Sequence, residues 1–103
     1  MKKFEFRLQV TQKHIDEGVR STCTRCPIAL ALADWWRGYN PDAKAGDFVS
    51  VFPRSAFIRD GHGGALAGVK FPDLVDGWIR NYDRGARPYP INVLVRAEVP
   101  DAA

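Results

Sequence analysis

Both ends of the chain alternate between apolar and polar residues, which is the pattern of a β-strand with one buried face. The alternation runs from Lys3 to Val10 and again from Ile91 to Val99. The polar faces carry charges of both signs: Glu5 and Arg7 on the first strand, Arg96 and Glu98 on the last. Because opposite charges pair favourably across strands, we expect the two strands to be antiparallel neighbours at the centre of a sheet.

Two segments have helical rather than alternating spacing. The first follows Cys26-Pro27, with the proline in the first turn, and is expected to run to Arg37 before Gly38. Its predicted buried face is Ile28, Ala31, Leu32, Trp35 and Trp36. The second opens at Phe71-Pro-Asp and stops at Gly85, with Phe71, Leu74, Val75, Trp78, Ile79 and Tyr82 at helical spacing. Gly77 inside it costs helix stability and suggests close packing.

Shorter elements complete the predicted order. Thr11 caps a short helical turn that ends at Glu17 before Gly18. Three further strands are predicted at 47–52, 55–59 and 66–69, the last two flanking the turn-rich segment 60–64. The sequence therefore predicts one α+β domain over 1–103, with an antiparallel or mixed sheet of four to five strands. Two main helices cover one face, roughly as in a ferredoxin-like plait.

Composition narrows the class of protein. The chain has 103 residues, 46% of them apolar, a net charge of +3 and a pI of about 9.1. No apolar stretch approaches the roughly 20 residues that cross a bilayer. The charged start Met1–Arg7 is unlike a signal peptide. We expect a soluble, cytoplasmic protein without a membrane partner.

The segment Cys23-Thr-Arg-Cys26-Pro is open to three interpretations. A Cys-x-x-Cys pair at a helix start can cycle between dithiol and disulfide. The same pair is half of a tetrahedral zinc site, which His14 and His62 would have to complete. In the third interpretation the thiols only pack and cap the helix start.

No complete catalytic set is visible, so the sequence favours a protein that is not an enzyme and needs no cofactor. Ser50 and Ser55 lack the context of an activated nucleophile. No two carboxylates are spaced for acid–base work. The segment Asp60-Gly-His-Gly-Gly64 could approach a phosphate, but it lacks a phosphate-loop motif and fits a flexible hairpin tip better.

Trp35, Trp36 and Arg37 are the candidate partner-binding residues. Successive helix positions point about 100° apart, so both indoles are buried only where the helix is covered over a wide arc. Trp and Arg are favoured anchors of protein interfaces. We expect a protein partner, with a homo-oligomer as an alternative. A nucleic-acid partner would use the basic residues around the helix, namely Arg20, Arg25, Arg37 and Lys44.

Two blocks of sequence resemble a family of small uncharacterised phage and prophage proteins. The first is Thr11-x-x-His14-Ile15-x-x-Gly18-x-Arg20 followed by Cys26-Pro27-Ile28-Ala29-Leu30-Ala31. The second is Phe71-Pro72, Trp78-Ile79, Tyr82-Asp83-x-Gly85 and Pro88-x-Pro90. The resemblance implies an accessory protein in the cytoplasm of an infected cell and carries no catalytic residues. The expected function is binding of a host or phage macromolecule, one version being antagonism of a host defence complex.

Overall fold

The computed structural model describes residues 2–100. It has five strands and three helices. The strands are β1 (Lys2–Val10), β2 (Phe48–Val51), β3 (Ser55–Arg59), β4 (Ala65–Lys70) and β5 (Ile91–Val99). The helices are α1 (Gln12–Glu17), α2 (Pro27–Tyr39) and α3 (Asp73–Asp83). Each element predicted from periodicity is present, and the boundaries differ by a few residues.

The strands form one open antiparallel sheet in the order β1-β5-β4-β3-β2. The α+β class and the five-strand sheet are therefore confirmed. The pairing of β1 with β5 is confirmed too, with Glu5 opposite Arg96. The central position expected for β1 is wrong. Because β4 occupies the other side of β5 and β3 and β2 follow it as a meander, β1 is left at the edge.

One face of this sheet is buried. Alternate residues of every strand enter a single apolar core with the helices, among them Leu8, Val49, Ile58, Val69 and Val95. Helix α2 supplies Ile28 and Leu32, both fully buried, and packs against the edge strands β1 and β2. Helix α3 adds Val75, Trp78 and Tyr82. Both main helices therefore lie on the buried face, and the opposite face, here called the outer face, is open.

The end of α2 departs from the sequence-based expectation, whereas the end of α3 agrees with it. Helix α2 continues through Gly38 to Tyr39 and ends at Asn40, whose N–H donates to the carbonyl of Trp36. Gly85 does end α3, because its positive φ of 85° allows the turn and its N–H donates to Tyr82. On α3 itself, Leu74 is exposed rather than buried.

Candidate functional site

Four partly exposed aromatic residues cluster where α2 meets β1. The indole of Trp35 stacks on Phe6 with ring centres 4.0 Å apart and planes 4° apart. Its other neighbour is Tyr39, at 5.2 Å and 9°. Phe4 joins the cluster 5.2 Å from Tyr39. We call these four residues, together with the free side of β1, the aromatic edge.

Strand β1 is the reason this cluster stays uncovered. It spans nine residues and pairs along its whole length with β5. Among residues 2–100, no strand pairs with its other side. A strand edge of this kind presents unpaired backbone donors and acceptors that can accept another strand. At its start, a groove of about 490 Å³ lies between Lys2, Tyr39, Pro41 and Leu66.

The three partner-binding residues predicted from sequence are not brought to one surface. Trp36 is only 4% exposed, and its indole N–H donates to Asp47 at 3.1 Å. Arg37 is exposed but points about 200° around the helix from Trp35, and it pairs with Asp34. Of the three, only Trp35 belongs to the aromatic edge.

Alternation in β1 predicts that Phe4 and Phe6 face inward, and both do lie on the helix side of the sheet, where they contact α2. Tyr39, expected in the loop after α2, instead lies in the last turn of the helix. The missed signal is the spacing of Trp35 and Tyr39, because residues four apart on a helix are neighbours. It becomes visible only when α2 is continued past Gly38.

His14 forms a bridge between α1 and α2 rather than a free base. Its Nδ1 accepts the backbone N–H of Thr11 at 3.0 Å, which completes a capping box at the start of α1. The ring proton is therefore on Nε2, which donates to Asp34 at 2.7 Å. Burial opposes ionisation of Asp34, but the bonds from His14 and Arg37 outweigh it and lower its pKa. Because both ring nitrogens are hydrogen-bonded within the protein, His14 has a structural role.

The two cysteines differ in environment. Both are free thiols, Cys23 exposed and Cys26 buried as the N-cap residue of α2. Burial raises the pKa of Cys26, and the backbone N–H groups of Ala29 and Ile28 only partly oppose this effect. A reactive thiol at a helix start needs the opposite shift. Within residues 2–100, no three His, Cys, Asp or Glu side chains are grouped to hold a metal ion.

The glycine-rich tip is organised by its own acid. Oδ1 of Asp60 accepts the backbone N–H groups of His62 at 2.8 Å and Gly64 at 2.9 Å. These bonds lower the pKa of Asp60. Because the carboxylate occupies the amides that a phosphate would need, the tip is a closed turn. His62 is exposed at its end.

The basic residues predicted around α2 are spread over different elements. Arg20 donates to the carbonyl of Tyr82 at 3.0 Å and lies over its ring at 5.2 Å. Arg25 precedes α2, whereas Arg37 is about 18 Å further along the helix axis. Lys44 follows in the loop before β2. Arg37 and Lys44 line one pocket beside α2, whereas Arg20 lies against Tyr82 of α3.

Comparison of the chain with protein-family models, curated proteins and solved structures found no match. None of the helices within residues 2–100 combines the length and the apolar character needed to cross a membrane. The geometry of the surfaces therefore carries the functional argument.

Proposed function

We propose that the protein is a non-enzymatic binding protein that engages a protein partner through the aromatic edge. The observation that carries the proposal is the Phe6–Trp35–Tyr39 stack, left partly exposed beside a nine-residue edge strand with one free side. Aromatic side chains are frequent energetic anchors of protein interfaces. An unpaired strand adds backbone hydrogen bonds in register. Together the two features suit a partner that contributes an extended segment.

The groove at the start of β1 offers a second point of contact. It runs from Lys2 and Tyr39 past Val99 of β5 to Leu66 of β4, away from the free side of β1, so it would receive a side chain of the partner and not the added strand itself. An added strand beside β1 would pass the aromatic cluster on its inward side, where alternate side chains can contact Phe4 and Trp35. The backbone would supply affinity, and the rings and groove would supply specificity.

The resemblance to phage and prophage proteins suggests where the partner is found. A small accessory protein of that kind would act in an infected cell, on a host or phage protein. A host defence complex is the partner class that we propose. Cys26 is buried and its pKa is raised, which gives the thiol and zinc alternatives little support. The aromatic edge is partly exposed and is therefore the better candidate.

The test is affinity purification from host lysate, followed by reconstitution with the purified candidate partner. Trp35→Ala and Tyr39→Ala are expected to weaken the reconstituted complex about 30-fold or more, as loss of a central aromatic anchor does. Leu74→Ala is the matched control, because it removes an apolar side chain that is 54% exposed on α3. It should bind as the wild type does.

Hydrogen exchange on the reconstituted complex tests the mode of binding. The backbone N–H groups of β1 that do not face β5 should become protected when the partner binds. A complex that forms equally with Trp35→Ala, or that leaves β1 exchange unchanged, contradicts the proposal. If the chain self-associates through β1 and captures no other protein, the proposed protein partner is wrong and the aromatic edge is a homodimer interface.

A further inference from the structure

The outer face of the sheet carries exposed aromatic rings that no fold requirement explains. Phe48, Phe52 and Phe57 are 38%, 45% and 36% exposed. Phe52 and Phe57 meet edge to face, with ring centres 6.2 Å apart and planes at 70°. An exposed group of phenylalanines on the wet side of an antiparallel sheet is unusual, since that side normally carries polar residues.

Cationic side chains surround these rings. The guanidinium of Arg59 lies over the ring of Phe57 at 5.2 Å. Pairing and alternation place five cations and two acids on the outer face: Lys3, Arg7, Arg59, Lys70 and Arg96 against Glu5 and Glu98. The outer face is therefore positive, although the charges of the whole chain are nearly balanced.

Two of these cations stand directly opposite each other. Lys70 on β4 pairs in register with Arg96 on β5. Like charges in that position repel each other. Each has an acid nearby, because Glu5 lies opposite Arg96 and Glu98 approaches Lys70 at 3.9 Å. The two cations border a shallow depression of about 410 Å³, whose charged lining is Lys3, Lys70 and Arg96 against Glu5 and Glu98.

A glycine on β4 leaves the outer face beside the Phe57 ring without a side chain. Gly68 lies between Phe57 on β3 and Glu98 on β5. A Cβ at position 68 would contact the Phe57 ring at 3.8 Å, so the ring lies against the bare backbone of β4. The Phe57 ring thus lies next to the strand that carries Lys70.

We propose that the outer face binds single-stranded nucleic acid, a ligand class and a surface separate from the aromatic edge. Unpaired bases would stack on Phe52 and, in place of the Arg59 guanidinium, on Phe57, and phosphates would lie along Lys70, Arg96 and Arg7. Stacking on aromatic rings beside a positive groove is how non-sequence-specific single-strand binders work. The outer face presents the surface of a five-stranded sheet and not the single helix or two-stranded ribbon that the major groove admits, so duplex nucleic acid is the weaker ligand.

The experiment is fluorescence anisotropy of labelled 15-mers of dT and rU titrated with the full chain at 50 mM salt. Binding is expected for both, with the affinity falling about 20- to 50-fold between 50 and 200 mM salt if three or four phosphates are contacted. Lys70→Gln should reduce the salt slope by about 0.7, one phosphate's share. A duplex of equal length should bind more weakly.

Two substitutions at one position separate stacking from apolar packing. Phe57→Tyr keeps an aromatic ring and should bind as the wild type does. Phe57→Leu keeps apolar volume and should lose about 5- to 150-fold in affinity, the range for one stacked base. Leu74→Ala is the control on the helix side, and urea midpoints show whether each variant is folded. No binding at 50 mM salt, equal binding of duplex, or wild-type binding by folded Phe57→Leu would overturn the proposal.

Discussion

Two glycines of this chain differ in what surrounds them, and the difference predicts opposite effects of alanine. A Cβ at Gly18 would lie 2.6 Å from Cγ and Cδ of the buried Pro27, whereas Gly77 on α3 has nothing within 4 Å. Gly18→Ala should lower the free energy of unfolding by about 1–3 kcal/mol, the usual cost of overpacking. Gly77→Ala should raise it by up to about 1 kcal/mol, because alanine is the better helix former.

Urea denaturation of the two variants beside the wild type measures both effects. The close packing suggested at Gly77 by its position inside a helix is wrong, since open space surrounds it. A Gly77→Ala variant that is destabilised would contradict the open space described at Gly77. A Gly18→Ala variant as stable as the wild type would contradict the close approach of Pro27 to Gly18.

Asp34 predicts a dependence of stability on pH. Its folded pKa is lower than the ordinary 3.8, so the ionised form stabilises the fold above that value. This contribution is lost as the pH falls through the folded pKa. Asp34→Asn still accepts the bond from His14 but lacks the charge. Because the carboxylate is 57% exposed, solvent screening limits the expected loss at pH 7 to about 0.5 kcal/mol.

Unfolding of Asp34→Asn and the wild type, measured from neutral pH down to about pH 2.5, below the ordinary carboxyl value, gives the comparison. The difference in unfolding free energy should be constant near neutral pH and shrink toward zero in acid. A difference that persists unchanged at the acid end would assign the effect to packing instead of charge.

At the scale of elements, the stack between α2 and β1 predicts an energetic coupling. Parallel rings of Phe6 and Trp35 at 4.0 Å should contribute about 0.5–1.5 kcal/mol beyond their buried area. A double-mutant cycle with Phe6→Leu and Trp35→Leu, followed by denaturation, isolates that coupling. The same cycle with Leu74 in place of Phe6 is the control, and its coupling should be near zero. Equal couplings in the two cycles would mean that the stack adds nothing specific.

The elements themselves could be predicted from the sequence because their causes are local. Alternation in β1 and β5 defines which face is buried, and the register that places Glu5 opposite Arg96 follows from charge. The end of α2 could not be predicted, because the local signal, a glycine at position 38, indicates a stop before Tyr39, where the helix actually ends. The contact of Tyr39 with Phe4 of β1, which is distant in sequence, packs the last turn of α2 against the strand and is a tertiary effect.

The candidate site was harder to predict for a related reason. Alternation shows that Phe4 and Phe6 face inward, but it does not show which strand lies beside β1. Strand order depends on contacts distant in sequence, here the pairing of β4 with β5. The exposed cluster follows only once β1 is known to be an edge. The positive charge of the outer face could not be predicted for the same reason, because its cations come from four strands whose order is not visible in the sequence.

At the scale of the whole molecule, the open sheet separates the two proposed binding surfaces. Trp35 lies under β1 on the helix side, and Phe57 lies on the outer face of β3. Three strand spacings separate β1 from β3, which is about 14 Å in the plane of the sheet. Residues at such separations, with no shared partner, usually act independently.

The last prediction is therefore that the two activities can be removed one at a time. Trp35→Ala should weaken the protein complex and leave the oligonucleotide affinity within about twofold, an effect inside the usual additivity error. Phe57→Leu should do the reverse, and the double variant should show both losses unchanged. Pull-down and anisotropy on the same four preparations measure this. If Trp35→Ala also weakens oligonucleotide binding while remaining folded, the two surfaces are energetically coupled. Binding of the partner at the aromatic edge would then change the oligonucleotide affinity of the outer face.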